Sequence, residues 1–240
     1  MNAILIIAKK EFLAAIRSVA TYIIFALFLI VSGFFFSNTL FKLSRADLRM
    51  GFEIMHTLFL FYIPAITMSS IAGETSKGTF ELLATLPIKL SGIIWGKFMA
   101  ALVQLKFVIF FSLVYLVIIM ILGTGIDYGA VLGGYLGLIL AGSAYIAIGI
   151  FASSLASNQV LSFILAAFIS SLFFIIKYII GIIPSALSGA LEFFSFDYHL
   201  QSFFKGVIDL RDILFFAAVI LIFMLLAEFK LRTRNLMQER

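Results

Sequence analysis

Residues 73–98 read GETSKGTFELLATLPIKLSGIIWGKF. The stretch holds two Glu, three Lys, four Gly and a Pro, and it lies between two long apolar runs. So polar an interruption belongs at a membrane surface, and it divides the chain around it into separate spans. Working outward from it in both directions, apolar runs of about 20 residues, the length that crosses a bilayer, recur. They lie at roughly 19–41, 52–72, 98–122, 130–154, 160–183 and 211–229.

The composition agrees. Hydrophobic residues make up 63% of the 240 positions and charged residues 12%, against about 25% charged in a soluble domain. Mean hydropathy is +1.19, and there are 29 Phe. A surface with so few polar groups faces lipid. There is no cysteine, which excludes a disulfide framework, a thiolate metal site and a Cys nucleophile. The net charge of +5 reads as the basic bias of cytoplasmic loops and not as a nucleic-acid surface. The first span is too long for a signal-peptide core and lacks a small-x-small cleavage site, so it is expected to stay as an anchor.

Orientation follows the Lys and Arg count. With the N-terminus inside, the inner segments hold Lys9, Lys10, Arg17, Lys77, Lys89, Lys97, Lys230, Arg232, Arg234 and Arg240. The outer segments hold Lys42, Arg45, Arg49, Lys205 and Arg211, and Lys106 and Lys177 lie within spans. Both termini and the 73–98 stretch are therefore expected in the cytoplasm, although the short basic loop KLSRADLRM argues the other way.

Within the opening stretch, Thr79 to Leu86 suits two turns of helix. Glu74 precedes it at the positive end of the dipole, Gly73 and Gly78 allow sharp turns, and Pro87 stops it. Phe80, Leu83 and Leu86 form one apolar edge. Such a helix fits the groove of a soluble partner, and it equally fits a loop helix lying on headgroups. The glycines of Gly73-Glu-Thr-Ser-Lys-Gly78-Thr79 have phosphate-loop spacing, but the lysine precedes the second glycine and no strand leads in, so no nucleotide site is assigned to it.

Residues 1–18 place Leu5, Ala8, Phe12, Ala15 and Val19 on one helical stripe and Lys10 and Arg17 on another side. That is the pattern of an interfacial helix. The outer segment 184–210 is too apolar for a solvated loop, yet it carries Glu192, Asp197, His199 and Asp209 among crowded aromatics. It reads as two short helices dipping into the outer leaflet, either capping a pathway or anchoring at the interface. His199 has no ligand-spaced partner in the sequence, so no metal site is assigned.

Intramembrane charges are candidate functional groups. Gln104 and Lys106 in the third span and Lys177 in the fifth are candidates for a pathway or an interface, with snorkelling the alternative for both lysines. Gly129, Gly133, Gly137 and Ala141 recur every four residues, a close-packing seam expected within the chain. Pro64 is expected to kink the second span. The reading is an all-α membrane protein forming a single transmembrane domain over 1–240. It has six transmembrane helices, an N-terminal interfacial helix, a cytoplasmic surface helix and short outer helices before the last span.

A resemblance adds to this. The run ITMSSIAGETSKGTFELLATLPIKLSGIIWGKF, residues 66–98, resembles the hallmark segment of ABC-2 type transporter permeases. It matches in Glu74, Gly78, Thr79, Glu81, Leu82, Leu83, Pro87, Gly96, Lys97 and Phe98. A second run, HLQSFFKGVIDLRDILFF, residues 199–216, resembles the gliding-motility and nitrous-oxide-reductase-maturation subgroup in Phe204, Gly206, Val207, Ile208, Asp209, Arg211 and Asp212, and the opening KKEF also fits. The resemblance implies a half-transporter without an ATPase of its own, paired with a second permease copy, identical or different, in a bacterial inner membrane. It implies as well that this chain binds no cofactor and that ATP and Mg belong to separate ATPase subunits. Segment 74–87 is then the coupling helix, with Glu74, Thr75, Gly78, Thr79, Glu81, Leu82 and Pro87 at or near the ATPase contact. Phe194, His199, Phe204 and Asp209 belong to the outer segment, and export is the expected direction. Two other classes stay open: a membrane scaffold that transmits ATPase motion to periplasmic partner proteins, and a self-contained secondary transporter or channel.

Overall fold

The computed structural model describes residues 3–43, 48–79, 89–122, 125–180 and 185–238. These residues form helices α1 (Ala3–Ile16), α2 (Val19–Leu43), α3 (Arg49–Thr67), α4 (Ala72–Ser76), α5 (Leu90–Leu122), α6 (Tyr128–Leu155), α7 (Gln159–Ile179), α8 (Ser185–Phe194), α9 (Phe196–Phe204) and α10 (Leu210–Gln238). Six candidate spans emerge: Val19–Thr39, Arg49–Ser76, Leu90–Ile121, Tyr128–Leu155, Gln159–Ile179 and Leu210–Thr233. The all-α membrane architecture read from the sequence is the one observed, and the outer segment contains two short helices.

The bundle is built around α6. Of its apolar window 78% is buried, against 17% for α2, and it packs on α3, α5, α7, α9 and α10. Small residues let neighbours come that close. A Cβ at Gly137 would stand 2.8 Å from the Phe203 Cβ, and one at Gly133 would overlap the Phe203 carbonyl. Gly206, at φ +80, lays its own backbone against Gly129, 2.7 Å from where its Cβ would stand. The four-residue glycine stripe is thus an intrachain seam between α6 and the α9 corner. Asp127 caps α6 through the Ala130 amide (3.1 Å), and Asn158 caps α7 through that of Leu161 (2.9 Å), satisfying amides that a helix start leaves open. Large apolar side chains such as Ile30, Phe110, Ile121, Leu225 and Phe229 point outward, as a lipid-facing surface requires.

Three local expectations change. The third span does not start at 98: α5 starts at Leu90, and its 33 residues extend about 50 Å at 1.5 Å per residue, beyond a hydrocarbon core of about 30 Å. Past Pro87 nothing stops a helix, and Gly96 is repaid by contact, since a Cβ there would meet Ile7 Cγ2 of α1 at 2.7 Å. The surplus turns of α5 therefore pack on α1. The apolar stripe of α1 divides accordingly. Ala8, Phe12 and Ala15 turn toward the bundle, while Leu5 and Val19 face out.

The second span also differs. α3 runs through Pro64 and stops at Thr67, one turn later. Gly73 is not a joint before a helix but lies inside α4, as does Glu74. The Ser153 hydroxyl of α6 holds the break between α3 and α4. It accepts from the Ile71 amide (3.0 Å) and the Ala72 amide (2.9 Å), and it donates to the Met68 carbonyl (3.3 Å). One side chain thus satisfies three backbone groups that the broken helix would leave unpaired.

Candidate functional site

The charges of the opening stretch converge where α1, α4 and α5 meet. The Lys97 side chain is 2% exposed, and its Nζ donates to Glu74 Oε1 at 2.8 Å and to Glu11 Oε1 at 3.1 Å. Each residue comes from a different helix: Glu11 from α1, Glu74 from α4 and Lys97 from α5. A buried ammonium needs such partners to offset the loss of its water. Two carboxylates on one ammonium leave the cluster at net −1, and Glu74 Oε2 is buried with no hydrogen-bond partner.

The cluster stands between two cavities. The inner one, of about 300 Å³, is lined by Lys97, Glu11, Gln104, Thr21, Ser69 and Gln159 among others. The outer one, of about 380 Å³, includes Glu74, Lys10, Lys77 and Thr79 in its wall. Glu11, Ser69 and Gln159 line both.

Among the residues predicted at the ATPase contact, Glu74 turns its carboxylate inward to Lys97, and Thr75 closes the first turn of α4 (N to Ile71 O, 2.9 Å). Gly78 adopts φ +68, a conformation that favours glycine. That turn brings the amide and hydroxyl of Thr79 onto the Glu74 carbonyl, at 3.0 and 3.3 Å. Glu81, Leu82 and Pro87 lie outside the described residues. Gln104 faces the inner cavity. Lys106, two residues on and some 200° around the helix, is exposed on the outward face, so the two are not brought together.

Lys177 and the outer residues are drawn into a separate cluster. Lys177 pairs with Asp197 at 3.1 Å and lies 4.4 Å from the centre of the Phe174 ring. His199 is fully buried and is not solitary. Its Nδ1 stands 2.7 Å from Asp212 Oδ1 and its Nε2 2.9 Å from the Phe193 carbonyl, with Phe215 stacked at 3.9 Å. Phe204 stacks on Phe52 at 5.6 Å. Phe194 and Asp209 are exposed, and Asp209 receives the Arg211 amide (2.9 Å) at the start of α10. The sequence reading missed Glu11 and Asp212 as partners. The acidic residue in KKEF and the second Asp of VIDLRD were the available signals.

A search of curated proteins finds no match to this chain. A family model described as ABC-2 family transporter protein matches residues 5–227. With that match spanning α1 to the last membrane helix, and six helices long and apolar enough to cross a bilayer, the chain belongs to the ABC-2 transporter family, as a multi-pass permease component of an ABC transporter.

Proposed function

We propose that this permease is an exporter subunit of a bacterial inner membrane, driven by separate ATPase subunits that dock on the cytoplasmic face of segment 74–87. A second permease copy completes the pathway, and ATP and Mg reside in the ATPases. The observation that carries this reading is the Glu11–Lys97–Glu74 cluster. It ties the root of segment 74–87 to α1 and α5, while Ser153 ties it to α6. A push on that segment reaches two membrane-spanning helices, α5 and α6, and the N-terminal helix α1 through buried polar contacts. A mobile surface loop has no use for such attachments. The corner at 204–212 supports placement in the gliding-motility and nitrous-oxide-reductase-maturation subgroup, because Gly206 and Asp212 both serve it structurally, Gly206 against α6 and Asp212 through His199.

The test is arginine substitution at Thr79 or Glu81, which adds or reverses charge on the proposed docking segment and leaves Glu11, Glu74 and Lys97 unchanged. Membranes carrying either variant are expected to retain the permease and to lose about tenfold in ATPase recruitment, an interface cost of some 1.4 kcal/mol. Unchanged recruitment and unchanged stimulation of ATP hydrolysis would count against the reading.

A further inference from the structure

We propose that the outward face of α1 is a docking surface for anionic phospholipid headgroups, of the phosphatidylglycerol class, in the leaflet at that end of the bundle. The helix turns its two sides to different neighbours. Ala8, Phe12 and Ala15 face the bundle, and Glu11 is drawn in to Lys97 at 3.1 Å. On the opposite side Leu5, Ile6, Leu13 and Ile16 are exposed. Lys9, Lys10 and Arg17 are exposed among them. At about 100° per residue, Lys9, Leu13 and Arg17 follow one another along a single stripe, and the Arg17 amide carries the last turn on to the Leu13 carbonyl at 3.2 Å. Glu11 is the one acidic residue of segment 1–18, and it points inward. The outward face therefore holds three cations and no anion, and none of the three is in an ion pair among the described residues.

Charge and position together select the occupant. Only Arg17 and Ser18 separate α1 from the first span, which begins at Val19, so the C-terminal end of the face stands at the hydrocarbon edge. There Ile6 and Leu13 can enter the acyl boundary while the basic side chains lay their apolar stems along it and reach phosphate. A second copy of this chain would bring the same three cations to a two-fold contact, where like charges would face each other. A zwitterionic headgroup returns an ammonium for each phosphate, whereas an anionic one leaves its charge uncancelled and attracts basic groups at the surface. The sequence pattern put Ala8, Phe12 and Ala15 on the lipid side; the structure gives that role to the face around Leu13. That the leaflet is the cytoplasmic one rests on the proposed placement of segment 74–87.

The test uses the full chain without ATPase, reconstituted in phosphatidylcholine vesicles. Leu13→Cys carries an environment-sensitive fluorophore, and an equal minor fraction of either phosphatidylglycerol or phosphatidylcholine is brominated near the headgroup end of its acyl chains. Brominated phosphatidylglycerol is expected to quench position 13 about fivefold more strongly than brominated phosphatidylcholine. Adding Lys9→Gln, Lys10→Gln and Arg17→Gln is expected to abolish that preference. A fluorophore at Ile30→Cys, on the lipid-facing side of the first span, is expected to be quenched equally by both lipids with or without the three substitutions, which shows that the bundle is intact. Equal quenching of position 13 by the two lipids would overturn the proposal. So would a preference that survives the triple substitution, or quenching of position 13 by aqueous iodide with none by either lipid, the result for a face open to water or to a soluble protein. Both leaflets of such vesicles are alike and no ATPase is present, so each of these results is independent of where segment 74–87 docks.

Discussion

Lys97 is the residue at which the cost of burial is most concentrated. Its ammonium is held by two carboxylates from two other helices, and removing it leaves both carboxylates facing each other across a partly desolvated cleft. Breaking a buried ion pair by deleting one partner typically costs about 3–5 kcal/mol, and the partial exposure of Glu11 and Glu74, 26% and 17%, places the effect at the low end. Lys97→Met is therefore expected to lower stability by roughly 3 kcal/mol, read as a lowered thermal midpoint of the detergent-solubilised protein. The triple variant Glu11→Gln/Glu74→Gln/Lys97→Met, which carries no unpaired charge, should recover much of that loss. If the single and triple variants melt alike, the cluster does not act as an electrostatic unit.

Among the elements, α6 decides how tightly the bundle closes. Its face toward α9 is made of glycines, and the Phe203 side chain and carbonyl occupy the space that larger residues would need. Gly137→Leu forces α9 outward, since its Cβ alone would approach the Phe203 Cβ to 2.8 Å. Overpacking of a close seam costs about 1–3 kcal/mol, and the displaced α9 would strain the pairing of His199 with Asp212 and of Asp197 with Lys177. Faster proteolysis across residues 185–209 in Gly137→Leu than in the parent protein is the expected readout. At the end of the same stripe the constraint falls on Gly206, whose Cβ would stand 2.7 Å from the Gly129 carbonyl carbon, whereas a Cβ at Gly129 would meet only Asp127 Oδ1 at 3.3 Å.

At the scale of the whole molecule, an even number of spans puts the two ends of the bundle to a simple test. The chain has no cysteine, so single cysteines can be introduced without background. A cysteine at Lys77, beside the outer cavity, is expected to react with a membrane-impermeant thiol reagent only in inverted vesicles. One at Lys205, at the α9–α10 corner, is expected to react only in intact cells. Labelling of position 77 from outside would place the whole α1/α4 end on the wrong side and remove the basis for ATPase docking.

The spans, their number and the all-α class were legible in the residues, because apolar runs of bilayer length admit one backbone solution in lipid. The same holds for the glycine stripe in α6 and the two short helices before α10, where composition and period speak locally. The partners of the charges were not legible. Lys97 lies 86 residues from Glu11, and Ser153 lies 82 from the backbone amide of Ile71 that it caps. His199 gained Asp212 only because the corner at Gly206 folds α9 back onto α10. One-dimensional periodicity determines which face of a helix is apolar. Which polar groups meet across helices depends on how closely the helices pack, and that closeness is decided by glycines and hydroxyls at the tertiary contacts.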